Sequence, residues 1–172
     1  MKVINIHHRI IKQPFAEIAK LFSTLSSEND RIMPTNSWPP MKLDKGLQIG
    51  SKGGHGPIKY QVIQYVPNQK IQFKFLKPEG FNGFHQFDIN PIDQGNSEIK
   101  HTIDMQTSPI ASIKWLFAIR WLHDALIEDG FDKVENYFLM ENQYKKSEWN
   151  FWVKFLRKVM KPKKIRNMKQ LL

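Results

Sequence analysis

The chain has 172 residues, 41% hydrophobic and 12% aromatic, which is enough apolar material to fill one core and excludes wholesale disorder. It has no cysteine, which excludes disulfides, thiolate zinc sites and a cysteine nucleophile. Of the formal charge of +10, residues 145–172 carry +9, so the body is excluded as a polyanion binder and any basic partner surface belongs to the tail.

The first residues, Met1–Arg9, contain no apolar run or small-residue cleavage site, so no secretory leader is expected and a cytoplasmic location is. Lys2 to Ile11 is β-branched and alternating, and reads as a first strand. After Gln13-Pro14, the residues Phe15, Ile18, Ala19, Phe22 and Leu25 recur at helical spacing, and Ser26 to Met33 reads as a second short helix stopped by Pro34. Trp38-Pro39-Pro40-Met41 is a stiff connection. From Gly46 the period becomes two. Leu47 to Lys52, Pro57 to Val66, Lys70 to Leu76, Phe81 to Asn90 and Ser97 to Thr107 read as strands joined by short turns, an antiparallel meander with one apolar face. The Gly-rich stretch Gly50–Pro57 is not a phosphate loop, because it leads into a strand and offers no helix N-terminus. A long helix comes next, about Ile113 to Tyr144, with Gly130 in mid-pattern as a place for a kink.

Of six histidines, three fall on apolar faces. His85 shares its strand face with Phe87 and Ile89, and His101 shares its own with Ile99, Ile103 and Met105. A hairpin turning about Gln94 pairs His85 with Ile103 and His101 with Phe87, which makes the two histidines diagonal neighbours roughly 7–8 Å apart; a register shifted by two would set them directly opposite, and either leaves both on the concave face. His123 lies beside Leu122, Leu126 and Ile127 on the helix face that must meet the sheet. Three imidazoles therefore converge on one interior. Such a set can ligate Zn²⁺ or Fe²⁺, act as acid and base, or anchor a polar head group, and the last is the favoured reading, with no cofactor and no metal expected. The wall around them is read as Tyr60, Phe73, Phe75, Phe87, Ile103, Trp115 and Ile119. His55 could sit at the pocket mouth, with an exposed loop residue the favoured reading; at most one of His7 and His8 points inward, and neither receives a role. Asp124 is read as unable to face His123. Asp124, Glu128 and Asp129 could supply a general acid, with a solvated helix face the stronger reading for Glu128 and Asp129.

Strand, two short helices, about five antiparallel strands and one long helix resemble the START-like, birch-pollen-allergen-like superfamily (SRPBCC), and within it an uncharacterised polyketide cyclase-like bacterial branch. The resemblance is carried by Trp38-Pro39-Pro40-Met41, the Gly-His-Gly-Pro-Ile-x-Tyr stretch ending at Tyr60, Gly83-Phe84-His85, His101, and Leu122-His123-Asp124-Ala125-Leu126, and it covers residues 1–144. It implies an α+β helix-grip fold, a curved sheet wrapped around a long helix, with a cavity between them. It also implies a hydrophobic small-molecule partner such as a lipid, sterol, polyketide or isoprenoid-like compound.

The tail, residues 145–172, lies outside that resemblance. Trp149, Trp152, Leu156 and their apolar neighbours recur at helical spacing, flanked by Lys154, Arg157 and Lys158, with Pro162 ending the helix and Lys163–Leu172 a basic end. This pattern fits an anionic membrane surface or a protein partner, with nucleic acid ranked below both. A tail docked on a membrane would make the protein peripheral at the inner membrane. Three functions are thus in competition: a binding or carrier protein, a cyclase, aldolase or hydrolase using the cavity histidines, and an interaction module acting through the tail. The oligomeric state is not legible.

Overall fold

A computed structural model describes residues 1–160. Seven strands, β1 (Lys2–Ile11), β2 (Lys42–Leu43), β3 (Lys52–His55), β4 (Ile58–Val66), β5 (Lys70–Lys77), β6 (Phe81–Pro91) and β7 (Ser97–Thr107), form one antiparallel sheet in the order β1-β7-β6-β5-β4-β3-β2. Helix α1 (Phe15–Phe22) comes after β1. The long helical rod runs from α2 (Pro109–Lys114) through a π-helical turn (Trp115–Ile119) into α3 (Arg120–Asn136), and α4 (Phe151–Met160) lies beyond a short 3₁₀ turn. The α+β helix-grip architecture is the observed one.

Of the two registers open to β6 against β7, the structure has the one centred on Gln94: His85 pairs with Ile103, and Phe87 with His101. Alternation then places Phe87, Ile89, Ile99 and Ile103 on the face toward the rod, where all four are buried. Leu126, Ile127, Phe131 and Val134 of α3 close over that face, and α1 adds Ile18 and Phe22 to the same core.

Four expectations fail, each for a local reason. Ser26 to Met33 is not helical. Asp30 instead gathers the backbone N–H groups of Ser26 (2.9 Å), Ile32 (2.8 Å) and Met33 (2.8 Å), and Lys133 donates to the carbonyls of Asp30 and Met33 at 2.7 Å each. An aspartate that satisfies local N–H groups competes directly with helix formation. Leu47 to Lys52 is a turn, and the strand begins at Lys52 and runs through Gly53 and Gly54. A Cβ on Gly53 would stand 1.8 Å from the Lys42 carbonyl oxygen, so glycine is what allows β2 to pair there. The rod starts earlier than expected and ends at Asn136, and it passes through Gly130 as continuous helix. A Cβ at Gly130 would meet the Ile32 carbonyl oxygen at 3.1 Å, so this glycine serves close packing of the Asp30 turn and not a kink.

The tail is packed against the body up to Met160. Val153 is buried in the main core, and Trp149 meets Trp38 edge-on at 5.7 Å. The expected helix end at Pro162 and the basic end Lys163–Leu172 lie outside the described residues. Among the described residues no helix is long and apolar enough to cross a membrane.

Replacing Asp30 by Ala strands three backbone donors and removes the charge that faces Lys133. Chemical denaturation of the variant is expected to show a loss of about 2–3 kcal/mol with an unchanged denaturant slope. A loss below about 0.5 kcal/mol would mean that the turn is held by other contacts.

Candidate functional site

A cavity of about 440 Å³ lies between sheet and rod, within the size range of small-molecule sites. Phe75, His85, Phe87, His101 and Ile103 come to it from the sheet, and Trp115, Ile119, Leu122 and His123 from the rod. Eight of the ten residues expected on the wall therefore line it. Tyr60 and Phe73 do not. They are fully buried one layer behind, with Phe73 stacked on the His85 ring at 4.8 Å and Tyr60 edge-on to it at 4.7 Å. Phe75 stacks on that ring at 5.0 Å, so His85 is gripped by aromatic rings.

The three cavity histidines form a chain. The rings of His85 and His101 are 5.4 Å apart with Nδ1 of the first 3.3 Å from Nε2 of the second, and His101 and His123 are 4.9 Å apart. Burial pushes the pKa of each below the ordinary histidine value, and for His123 the bond to Asp124 opposes the push without reversing it. All three are neutral at neutral pH. Three ring nitrogens, His85 Nε2, His101 Nδ1 and His123 Nε2, find no hydrogen-bond partner among the described residues.

Neutral imidazoles constrain one another. If His85 Nδ1 donates to His101 Nε2, then His85 Nε2 is left as an acceptor and His101 Nδ1 as a donor. The opposite tautomers exchange those roles. The pair always offers one donor and one acceptor, whichever way the shared proton lies.

Sequence reasoning ranked two histidines too low. His55 ends β3, lines the cavity beside Gly56, Pro57 and Trp38, and pairs through Nδ1 with the Tyr60 hydroxyl at 3.1 Å. Burial lowers its pKa to about 4, and the nearby Lys59 charge acts in the same direction, so it is neither exposed nor charged at neutral pH. His7 faces the rod, while His8 faces solvent. The His7 Nε2 lies 3.0 Å from Asp124 Oδ1 and its Nδ1 2.7 Å from Glu128 Oε1. Burial opposes a charge on His7, but the bonds to Asp124 and Glu128 outweigh it and push the pKa up to about 9. Arg9 extends the same seam, reaching Glu128 at 2.7 Å and pairing with Asp132. Glu128 and Asp129 are therefore not a free solvated face, since Asp129 accepts the indole N–H groups of Trp38 (2.6 Å) and Trp149 (3.0 Å). Asp124 does reach His123 despite being its neighbour: Oδ1 is 3.5 Å from Nδ1, and the side chain also takes Asn5 Nδ2 at 3.0 Å. Burial would raise the Asp124 pKa, yet the bonds from His123 and His7 hold it far below the usual carboxylate range.

Metal-donor convergence falls on His7, His123 and Asp124, whose donor atoms lie within 4.8 Å of one another. Glu128 on His7 Nδ1 is the kind of outer partner a metal-bound imidazole keeps. The positive charge between these carboxylates is carried by the His7 imidazolium itself.

No protein-family model matches the chain, and no curated protein matches it. Solved structures do. Norcoclaurine synthase from Thalictrum flavum, solved with dopamine and hydroxybenzaldehyde, superposes with TM-score 0.61 at 11% identity over 82% of this chain and 90% of that one. A protein from Thermobifida fusca superposes with TM-score 0.58 at 13% identity over 78% and 91%. An uncharacterised protein from Bacillus thuringiensis superposes with TM-score 0.59 at 13% identity over 80% and 100%. At these identities the likeness establishes the shared fold.

The two classes of histidine pull stability in opposite directions with pH. The buried, neutral ones have folded pKa values below the unfolded value of about 6.5, so their contribution is intact above that pH and is lost as the pH falls. His7 has a folded pKa of about 9, so its contribution is intact below about 6.5 and is lost as the pH rises toward 9. Unfolding free energy measured across pH is expected to peak near 6.5 and to fall by up to roughly 3 kcal/mol by pH 9, with His7→Gln flattening the alkaline arm only. An alkaline arm unchanged in His7→Gln would remove His7 from this account.

Proposed function

We propose that the chain is a START-like superfamily member that binds a hydrophobic small molecule carrying a polar, uncharged head. The observation that carries this reading is the set of three neutral imidazoles, each with an unpartnered nitrogen, on the wall of a mostly apolar cavity. A buried polar group left without a partner costs about 1–3 kcal/mol. A bound hydroxyl or carbonyl would recover that cost, while the rest of the ligand would cover Phe75, Phe87, Ile103, Trp115 and Ile119.

The neutrality of the rings selects the ligand class. Uncharged imidazoles offer no Coulomb attraction to a carboxylate or phosphate head, and the one cation on the lining, Arg157, is already engaged by the Trp38 and Trp149 rings and the Ser37 carbonyl. They do offer a donor and an acceptor side by side, which suits a phenol, an enol or a β-hydroxyketone of polyketide type. The fold neighbour solved with dopamine and hydroxybenzaldehyde supports aromatic hydroxyl compounds as first probes.

A second reading rests on His123. Its Nδ1 is held by Asp124 and its Nε2 is unpartnered, the arrangement a general base requires. A cyclase- or aldolase-type reaction would need only this base, a shaped cavity and the donor–acceptor pair His85–His101.

The test is titration of purified protein with an apolar fluorescent probe, then displacement with hydroxylated aromatics and polyketide-like compounds, beside native mass spectrometry. The apolar probe is expected to bind the parent and His101→Phe alike, whereas a phenolic competitor is expected to lose roughly tenfold in affinity for the variant. If neither native mass spectrometry nor titration detects any cavity ligand, the binding reading falls. Turnover of a bound compound that disappears in His123→Gln while binding persists would establish the catalytic reading.

A further inference from the structure

The outer side of the rod and the outer side of α4 carry large apolar residues in the open. Ile110, Ile113 and Phe117 lie one turn apart along α2 and the π-helical turn, with Ile110 69% and Phe117 64% exposed. Phe151, Phe155 and Val159 recur at every fourth residue of α4, with Phe151 80% and Val159 66% exposed. The two stripes adjoin, because the Trp152 indole N–H donates to the Phe117 carbonyl at 2.8 Å and the Trp152 ring stacks on Phe155 at 5.3 Å. Scattered exposed apolar residues need no explanation, but a contiguous aromatic and aliphatic face marks a contact.

Within the two segments that carry this face the charge has one sign. Residues 109–119 and 151–160 contain no acid, and Lys114, Lys154 and Lys158 are exposed at its margins. The next twelve residues, 161–172, add five basic side chains and no acid.

We propose that this α2–α4 face docks on an anionic lipid bilayer, with Phe117, Phe151, Phe155 and Val159 entering the headgroup–acyl boundary and the lysines meeting lipid phosphates. Bulky apolar groups projecting from two convex helices, rimmed by cations, are what such a boundary accepts. A second copy of this chain fits poorly. Pairing the face with itself would set Lys114, Lys154 and Lys158 of one copy against the same lysines of the other, and like charges brought together at an interface are costly.

The structure also redistributes the tail residues singled out in the sequence. Trp149 and Arg157 turn inward, with the Arg157 guanidinium 4.0 Å from the Trp38 ring centroid and 4.2 Å from that of Trp149. Leu156 is half-buried. They hold α4 to the body and do not present it to a partner. The docking side is Phe151, Trp152, Lys154, Phe155, Lys158 and Val159, joined to the stripe of α2.

Residues at the edge of this face also reach the cavity. Ile119, Arg157 and Met160 all line it. A docked molecule would therefore hold this side of the cavity near the membrane surface, and the ligand would be one that partitions into lipid. This last step rests on the cavity reading, whereas the docking itself does not.

The experiment is co-sedimentation of the full chain with phosphatidylcholine vesicles, and with vesicles containing about 30 mol % phosphatidylglycerol, at roughly 0.05 M and roughly 0.5 M salt. At low salt the protein is expected to pellet with the anionic vesicles at least about tenfold more than with the neutral ones, and to be released largely at high salt. The variants Phe151→Ser/Phe155→Ser and Lys154→Glu/Lys158→Glu are each expected to lose about tenfold or more in vesicle binding. Circular dichroism melts and cavity-probe titration report whether they are folded. Full-length protein that stays in the supernatant with both vesicle types overturns the proposal. So does concentration-dependent self-association abolished by the same variants without vesicle binding, or vesicle binding that the variants leave intact. If vesicle binding behaves as expected while the cavity takes up no probe, docking stands and the cavity reading alone falls.

Discussion

Three polar side chains on one face of an edge strand meet three carboxylates spaced one turn apart on a helix, and that seam determines how the rod lies across the sheet. Asn5, His7 and Arg9 alternate along β1, and Asp124, Glu128 and Asp132 recur at every fourth residue of α3. The price is visible on the other side of β1, where Ile4, Ile6 and Ile10 are left exposed. A strand that turns three isoleucines outward in order to turn an arginine and a histidine inward is held by charge and hydrogen bonding, with Val3 and Ile11 as its apolar ends. Hydrophobic burial alone would favour the opposite face. Removing one member of such a partly buried network leaves the other uncompensated, which is more costly than the net worth of the pair.

From that seam the electrostatics grade inward. His7 is charged and lies between two carboxylates. Asp124 links it to His123, and beyond His123 lie His101 and His85, both neutral. On this side of the cavity the charge stops at His7 and Asp124, and the histidines beyond them are neutral. The seam also orients His123: the side chain of Asp124, held by Asn5 and His7, reaches back to Nδ1 and leaves Nε2 without a partner. The same residues that dock the helix therefore set the hydrogen-bonding state of a cavity residue, which is why the seam is the part of the structure on which the site depends.

Much of the frame was legible because it obeys short-range rules. The β6–β7 register comes from a short turn and strict alternation, and with it come the inward faces of His85 and His101. The apolar stripe Leu122, Leu126 and Ile127 points His123 the same way. Where the reading failed, a long-range partner overrode a local pattern. Asp30 broke a helical pattern by capping N–H groups, and Lys133, a hundred residues away, secured that turn. The Gly-rich stretch around His55 has the composition of a loop, which suggests exposure, whereas Gly53 and Gly54 are strand residues whose missing side chains let neighbouring strands approach. For Tyr60 and Phe73 the face is correct but the depth is not, since alternation gives direction and says nothing of whether a ring in front will cover it. His7 did have a signal. Acids at positions 124, 128 and 132 form a stripe too regular for a solvated face, and β1 is the strand whose alternate residues supply its partners.

The rod and α4 are each apolar on two sides, which an ordinary surface helix is not. On the rod, Trp115 and Ile119 line the cavity while Phe117, midway between them, stands in the open. On α4, Met160 reaches the cavity while its neighbour Val159 does not and is exposed. Inner and outer apolar surfaces therefore come within a residue or two of each other at one corner of the molecule. A π-helical turn sits at that corner, and such turns insert an extra residue that rotates the facing of the helix beyond them. Stability alone would favour polar residues on the outer side, where Phe117 and Val159 gain nothing from folding. Their presence within a residue or two of cavity-lining side chains is accounted for if the outer face meets an apolar medium.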